Sequence, residues 1–116
     1  MNAGELARLM GMELLLPDMA GREMKISGCY IGDLLSNVMG KAQTGQLWLT
    51  VMTNINVLAV AQLLELAGIV LLEGNQPVEG VLERAADEGI PVFLSGETAY
   101  QMAIRFYQTR DRQTDE

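Results

Sequence analysis

"GIVLLEGNQPVEGVLERAADEGIPVFL", Gly68 to Leu94, places two short apolar runs on either side of a helical pattern. The runs "GIVLL" and "IPVFL" carry no polar alternation, which suits strands covered on both faces of a parallel sheet. Between them, from Pro77 to Gly89, Val78, Val81, Leu82 and Ala85 form one stripe. Glu79, Glu83, Arg84, Asp87 and Glu88 oppose it, as in a surface helix lying on a sheet. A strand, a helix and a second apolar strand make a βαβ unit, and repeats of that unit build a parallel sheet.

The same alternation extends outward in both directions. Upstream, "LWLTV" (Leu47–Val51) reads as a strand feeding a helix from Asn54 to Ala67, and "MKISGCYI" (Met24–Ile31) as a strand feeding "DLLSNVM" closed by Gly40. At the start, "NAGELARLMG" predicts a helix with Asn2 as N-cap, Glu5 completing a capping box, Leu6, Leu9 and Met10 on one face and Gly11 as the stop. "MELLL" follows as a short strand, and "PDMAG" carries turn residues. Downstream, Glu97 to Tyr107 predicts a last helix with Ala99, Met102, Ala103 and Phe106 on one stripe and Tyr100, Ile104 and Tyr107 beside it. The expected architecture is a single α/β domain over residues 1–108, with a largely parallel sheet of four to five strands flanked by helices. Residues 109–116 are expected to form a polar, disordered tail.

Composition narrows the function. The chain of 116 residues is one domain long, with 49% hydrophobic and 20% charged residues, the profile of a folded globular protein. Its net charge of −7 and scattered basic residues argue against nucleic acid and anionic membrane surfaces, which require clustered Lys and Arg. Val57 to Val70 is broken by Gln62 and Glu65 and falls short of the roughly 20 apolar residues of a membrane span. With no signal-peptide pattern at Met1, the expected location is cytoplasmic. There is no histidine, which excludes Ser-His-Asp and Cys-His nucleophilic sites and the usual zinc sites, and no Gly-rich, Lys-Ser/Thr phosphate loop. Cys29 sits in apolar, strand-like surroundings and is expected to be an inert thiol. The eight methionines lack the spacing of a thioether metal site and read as adaptable packing. No catalytic residue, metal ligand or cofactor is expected, and the protein is not read as an enzyme.

The helix through Ile55–Leu66 is apolar nearly all round, its polar residues being Asn56, Gln62 and Glu65. Such a helix must be buried on more than its sheet-facing side, either by the N-terminal elements or by a second copy of the chain. A homodimer through Ile55, Leu58, Ala59, Leu63 and Leu66 is the expectation.

Four polar segments follow the apolar strands. Gly32 turns the chain and Asp33 is placed to cap the next helix. Thr53 or Asn54 can cap the long helix. In "EGNQP" Gly74 turns the chain, Asn75 can cap, and Pro77 suits a first helical turn. In "SGET" Ser95 is the expected cap. If the strands are neighbours, these tips form a ligand-binding rim of Gly32, Asp33, Thr53, Asn54, Glu73, Gly74, Asn75, Ser95 and Thr98 at the carboxyl edge, where open α/β sheets bind ligands. The rim has no Lys or Arg, so it fits a neutral or cationic small molecule and is ill suited to a phosphate.

In order and spacing, "GREMKISGCYIGDLLSNVM", "LWLTVMTNINVLAVA", "AGIVLLEGNQP" and "ADEGIPVFLSGETAYQMA" resemble the DRTGG domain family, found beside phosphotransacetylase and CBS modules and similar to the N-terminal domain of HPr kinase/phosphorylase. The resemblance spans approximately Glu5 to Phe106 and implies a dimerising regulatory or ligand-sensing domain. The alternative reading is an interaction adaptor docking through its apolar helix, and the resemblance implies a setting in hydrogenase or redox regulation. The family's Asp-Arg pair falls on Thr53-Asn54 and its Thr-Gly-Gly on Leu72-Glu73-Gly74, so only Gly74 is kept. The missing arginine is the residue best suited to grip an anion.

Overall fold

The computed structural model describes the backbone of residues 1–114 and the side chains of residues 1–110. Helix α1 (Ala3–Met10) is built as its sequence dictates. Asn2 Oδ1 accepts from the Glu5 N–H at 2.8 Å, Glu5 returns the bond to the Asn2 N–H, and Gly11 closes the helix at φ 64°. A short strand, β1 (Glu13–Leu14), and a 3₁₀ turn at Pro17–Met19 follow. Four βα units then run in order: β2 (Gly28–Ile31), α2 (Leu35–Lys41), β3 (Gln46–Thr50), α3 (Asn56–Leu64), β4 (Gly68–Leu71), α4 (Val81–Glu88), β5 (Val92–Leu94) and α5 (Ala99–Thr114).

The sheet order is β1-β5-β4-β3-β2, with β2 to β5 parallel and β1 antiparallel on the β5 edge. The expected α/β domain with a largely parallel sheet is therefore the observed one. From β2 to β5 consecutive strands are neighbours, and α2, α3 and α4 supply the helical side chains of one core, around Trp48, Ile69, Leu71 and Val92. The opposite core joins Leu47, Leu49, Val70, Leu72 and Phe93 to Leu6, Met10, Met102 and Phe106 of α1 and α5. The winding is single: every parallel crossover carries its helix on the same face.

Several local expectations are corrected. The stretch from Met24 to Ser27 is not part of β2; the Met24 N–H bonds the Met1 carbonyl instead. Helix α2 runs past Gly40 to Lys41. Helix α4 starts at Val81 rather than at Pro77, with Gly80 before it at φ 89°. Helix α5 does not stop near Tyr107. Thr109 is buried and donates its hydroxyl to the Arg105 carbonyl at 2.9 Å, and the helix continues to Thr114 through what read as the beginning of a tail. Residues 115 and 116, the rest of that expected tail, lie outside the described residues.

Most of the cover of the apolar helix α3 comes from its neighbours on the sheet. Val57, Leu58, Val60 and Ala61 are buried within the protomer, as is Leu66 just beyond the helix, because α3 lies between α2 and α4 on the sheet. Of the N-terminal elements, helix α1 packs on the other face, while Leu15 and Leu16 pack against the core that holds α3. Leu58 and Leu66 are thus core residues and unavailable to a dimer interface. Ile55, Ala59 and Leu63, spaced i, i+4, i+8, remain open in a row, with Leu63 67% exposed.

Candidate functional site

The adjacent parallel strands bring the four polar tips to one edge of the sheet. Backbone bonds link them across it: the Leu72 N–H reaches the Thr50 carbonyl at 2.9 Å, and the Ser95 N–H reaches the Leu71 carbonyl at 2.9 Å. The two halves of this rim are built differently.

At the β2–β3 end a side chain ties the strands together. Asp33 Oδ1 accepts from the Thr50 hydroxyl at 2.7 Å and from the Val51 N–H at 2.9 Å, and the same hydroxyl oxygen accepts from the Met52 N–H at 3.1 Å. Asp33 therefore does not cap α2; Leu34 stands at that N-cap with no side-chain bond. The reason is register: β2 and β3 pair Ile31 with Leu49, which brings the chain just beyond them, Asp33 and Val51, side by side. A carboxylate there meets a fully buried hydroxyl whose proton needs an acceptor. Beside it the Gly32 carbonyl accepts from Trp48 Nε1 at 2.9 Å, and a Cβ on Gly32 would stand 3.1 Å from the Tyr30 ring. Ile31, Leu34, Val51 and Ile55 give this end a half-exposed apolar fringe.

At the β4–β5 end the backbone does the tying. The Glu73 N–H bonds the Glu97 carbonyl at 3.0 Å and the Gly74 N–H bonds the Ser95 carbonyl at 2.8 Å. To present both, Glu73 adopts φ 57° and Gly74 φ 72°. Only the second of these is free of strain, since glycine has no Cβ to clash. Asn75 does not cap α4; its Nδ2 folds back to the Leu72 carbonyl at 2.8 Å. Ser95 does not cap α5 either: its Oγ accepts from the Glu97 N–H at 3.0 Å. The cap belongs to Thr98, whose hydroxyl accepts from the Gln101 N–H at 3.3 Å while Gln101 Oε1 accepts from the Thr98 N–H at 3.0 Å. Asn54 Oδ1 accepts from the Asn56 N–H at 2.9 Å at the start of α3, and the Thr53 carbonyl accepts from the Val78 N–H at 3.1 Å.

Most rim side chains are thus already engaged within the protein. The exposed Glu73 carboxylate makes no hydrogen bond or ion pair among the described residues, so it is the group most available to a visitor. The rim also carries a pair that the sequence did not signal. Arg105 binds Glu97 with both donor groups, Nε at 2.5 Å and Nη2 at 2.7 Å, and the guanidinium holds the Glu97 carboxyl below its usual range. The same guanidinium lies over Gly11, where a Cβ would come within 3.0 Å of Nη1. An eight-residue separation across a turn has no local pattern to announce it. Arg105 is a cation beside the rim, but one already matched to a carboxylate.

Topology limits the rim further. A doubly wound sheet opens a crevice where its strand order reverses. Here the order never reverses along β2 to β5, so the carboxyl edge has no such crevice. Concave ground lies between α3 and α4. Elsewhere, burial pushes the Cys29 thiol up to about 11, as expected of an inert cysteine. No helix among the described residues is long and apolar enough to cross a membrane.

No protein-family model matches the chain, and no curated protein matches it in sequence. Its fold is similar to a crystal structure of the CBS and DRTGG domains of the regulatory region of Clostridium perfringens pyrophosphatase, complexed with an activator, diadenosine tetraphosphate. The TM-score is 0.60 at 10% identity, over 88% of this chain and 44% of that one, so this chain spans less than half of that structure. The likeness is one of fold. It agrees with the architecture that the DRTGG resemblance implied, without extending to membership of that family.

Proposed function

We propose that this protein is a non-catalytic, ligand-sensing regulatory domain of the DRTGG kind, read out through self-association or contact with a partner. The observation that carries the proposal is the likeness of its fold to a regulatory region that binds an activator. The chemistry of this rim points to a different ligand from that region's dinucleotide. Its open charged group is the Glu73 carboxylate, and Arg105 is committed to Glu97. A polyanion would meet repulsion and no free guanidinium, whereas a neutral or cationic small molecule meets exposed acceptors. Self-association would use the open row Ile55, Ala59 and Leu63, with Leu34 and Val51 near its rim end, and the protein is expected to act in the cytoplasm.

A thermal-shift screen with neutral, cationic and polyphosphate metabolites tests this reading. A neutral or cationic compound should raise the melting temperature with concentration, as mass action requires, and Glu73→Gln together with Asn54→Ala should abolish the shift. A shift produced by polyphosphates alone, or by no compound, would refute rim sensing. The rival reading, an adaptor docking through α3, draws on the same open row. A stable partner recovered by the wild type and lost in Leu63→Gln, with no ligand response, would favour it.

A further inference from the structure

Two adjoining clefts between α3 and α4 share Gln62 and Glu88 and so form one groove. One, of about 180 Å³, is lined by Ile55, Leu58, Ala59, Asn56 and Arg84 besides the shared pair. The other, of about 320 Å³, adds Arg22, Glu65, Gly89 and Ile90. The smaller cleft lies below the roughly 300–1,000 Å³ of sites for drug-sized ligands, so that part of the groove suits a compact group.

Its charged groups are unequally satisfied. Arg22 Nη1 donates to the Gly89 carbonyl, and Arg84 Nε donates to Glu88 Oε1 at 2.8 Å. The Arg84 side chain is 59% exposed, so its remaining donors face water. Glu88 differs. Its side chain is only 15% exposed, and Oε2 is buried with no hydrogen-bond partner. Nearby, the Glu65 carboxylate at the end of α3 is exposed and makes no hydrogen bond or ion pair among the described residues. The outward groups of Arg22, Arg84 and Glu65 are met by water, so the unmet capacity of the groove is at Glu88 Oε2, a buried acceptor that calls for a donor. The terminal torsion of a glutamate is soft, so the second oxygen can turn toward a donor in the cleft. Ile55, Leu58 and Ala59 form an apolar wall beside it that suits a short alkyl stem. The net charge of −7 draws cations toward the surface.

We propose that the α3–α4 groove is a binding site for a small organic cation, a primary ammonium or guanidinium group on a short aliphatic stem, with Glu88 as the recognition carboxylate. The site does not use the rim acceptors, but its wall shares Ile55 and Ala59 with the row assigned to self-association, so a bound cation and a second copy of the chain would compete there. Calorimetric titration of the full chain with n-butylammonium and n-butylguanidinium, and with 1-pentanol as the uncharged control, provides the test. Saturable binding of at least one cation, without binding of the alcohol, is the expected result. Glu88→Gln should weaken it at least tenfold, as should Ala59→Trp, which fills the groove from an exposed position. Glu13→Gln, on the exposed edge strand β1 outside both groove and rim, should leave it unchanged. Circular dichroism confirms that each variant is folded; were Glu88→Gln unfolded, Ala59→Trp would decide alone. No saturable binding at millimolar concentration, binding of the alcohol equal to that of the cations, or full affinity in folded groove variants would overturn the proposal.

Discussion

The two halves of the carboxyl edge occupy equivalent places in the topology and are held by opposite means. At the β2–β3 end one carboxylate, Asp33, joins two strand ends through the buried Thr50 hydroxyl, with Trp48 pinning the Gly32 carbonyl beneath it. At the β4–β5 end, loop backbones bond to each other, at the cost of a left-handed conformation at Glu73. The first half concentrates its stability in a few side chains and is exposed to single substitutions there. The second spreads it over main-chain groups that substitution leaves in place, and is sensitive chiefly to changes in backbone freedom.

The largest effect that tests this contrast is expected from Trp48→Ala. Trp48 is fully buried and donates to Gly32, so its removal should cost about 3–5 kcal/mol in urea unfolding, a large share of a small domain's stability. Next, Asp33→Ala strands a buried hydroxyl and the Val51 amide and should cost about 1–3 kcal/mol. Asp33→Asn, which keeps an acceptor oxygen, should recover part of that. If Asp33→Ala were neutral, the distinction between the halves would fail. On the other side, Gly74→Ala adds a Cβ at φ 72° with open space around it, so only the backbone conformation is penalised, by about 1 kcal/mol. Glu73→Gly should go the other way and stabilise slightly, since it removes strain.

The smallest effect concerns the Glu97–Arg105 pair. Arg105 lowers the Glu97 pKa in the folded protein, so the contribution is present above the unfolded glutamate value and is lost as pH falls through the folded one. The melting temperature of Glu97→Gln should therefore lie slightly below that of the wild type at neutral pH and converge with it in acid. The pair is partly exposed, so the gap should also shrink with added salt. A gap that persists unchanged at low pH would mean that Glu97 acts through packing rather than charge.

Some features were legible in the chain because their cause is local. Asn2, Glu5 and Gly11 delimit α1 within one stretch of backbone, and the apolar runs of β4 and β5 need no distant partner to announce burial on both faces. The caps assigned to Asp33, Asn75 and Ser95 went wrong for a common reason. A short polar side chain after a strand can bond the next helix, the neighbouring strand end or its own local backbone, and sequence spacing favours the helix. In the folded protein each turned instead to the nearer group: Asp33 to Thr50 and Val51, Asn75 to Leu72, Ser95 to Glu97. The acidic face of α4 was read as uniformly solvated, yet Glu88 faces the groove, because helical periodicity gives the direction of a side chain and not what stands beside it.

The sequence by itself determined the order of strands and helices, the parallel character of the sheet and the ends of α1, since these follow from propensity, periodicity and capping within a few residues. Only the tertiary structure decided that α2 and α4 shelter most of α3, that Arg105 reaches Glu97, and that β2 to β5 follow one another without a reversal, leaving the carboxyl edge without the crevice that a reversal opens. These depend on which surfaces meet across the sheet, and such meetings are set by packing and register among segments far apart in the chain.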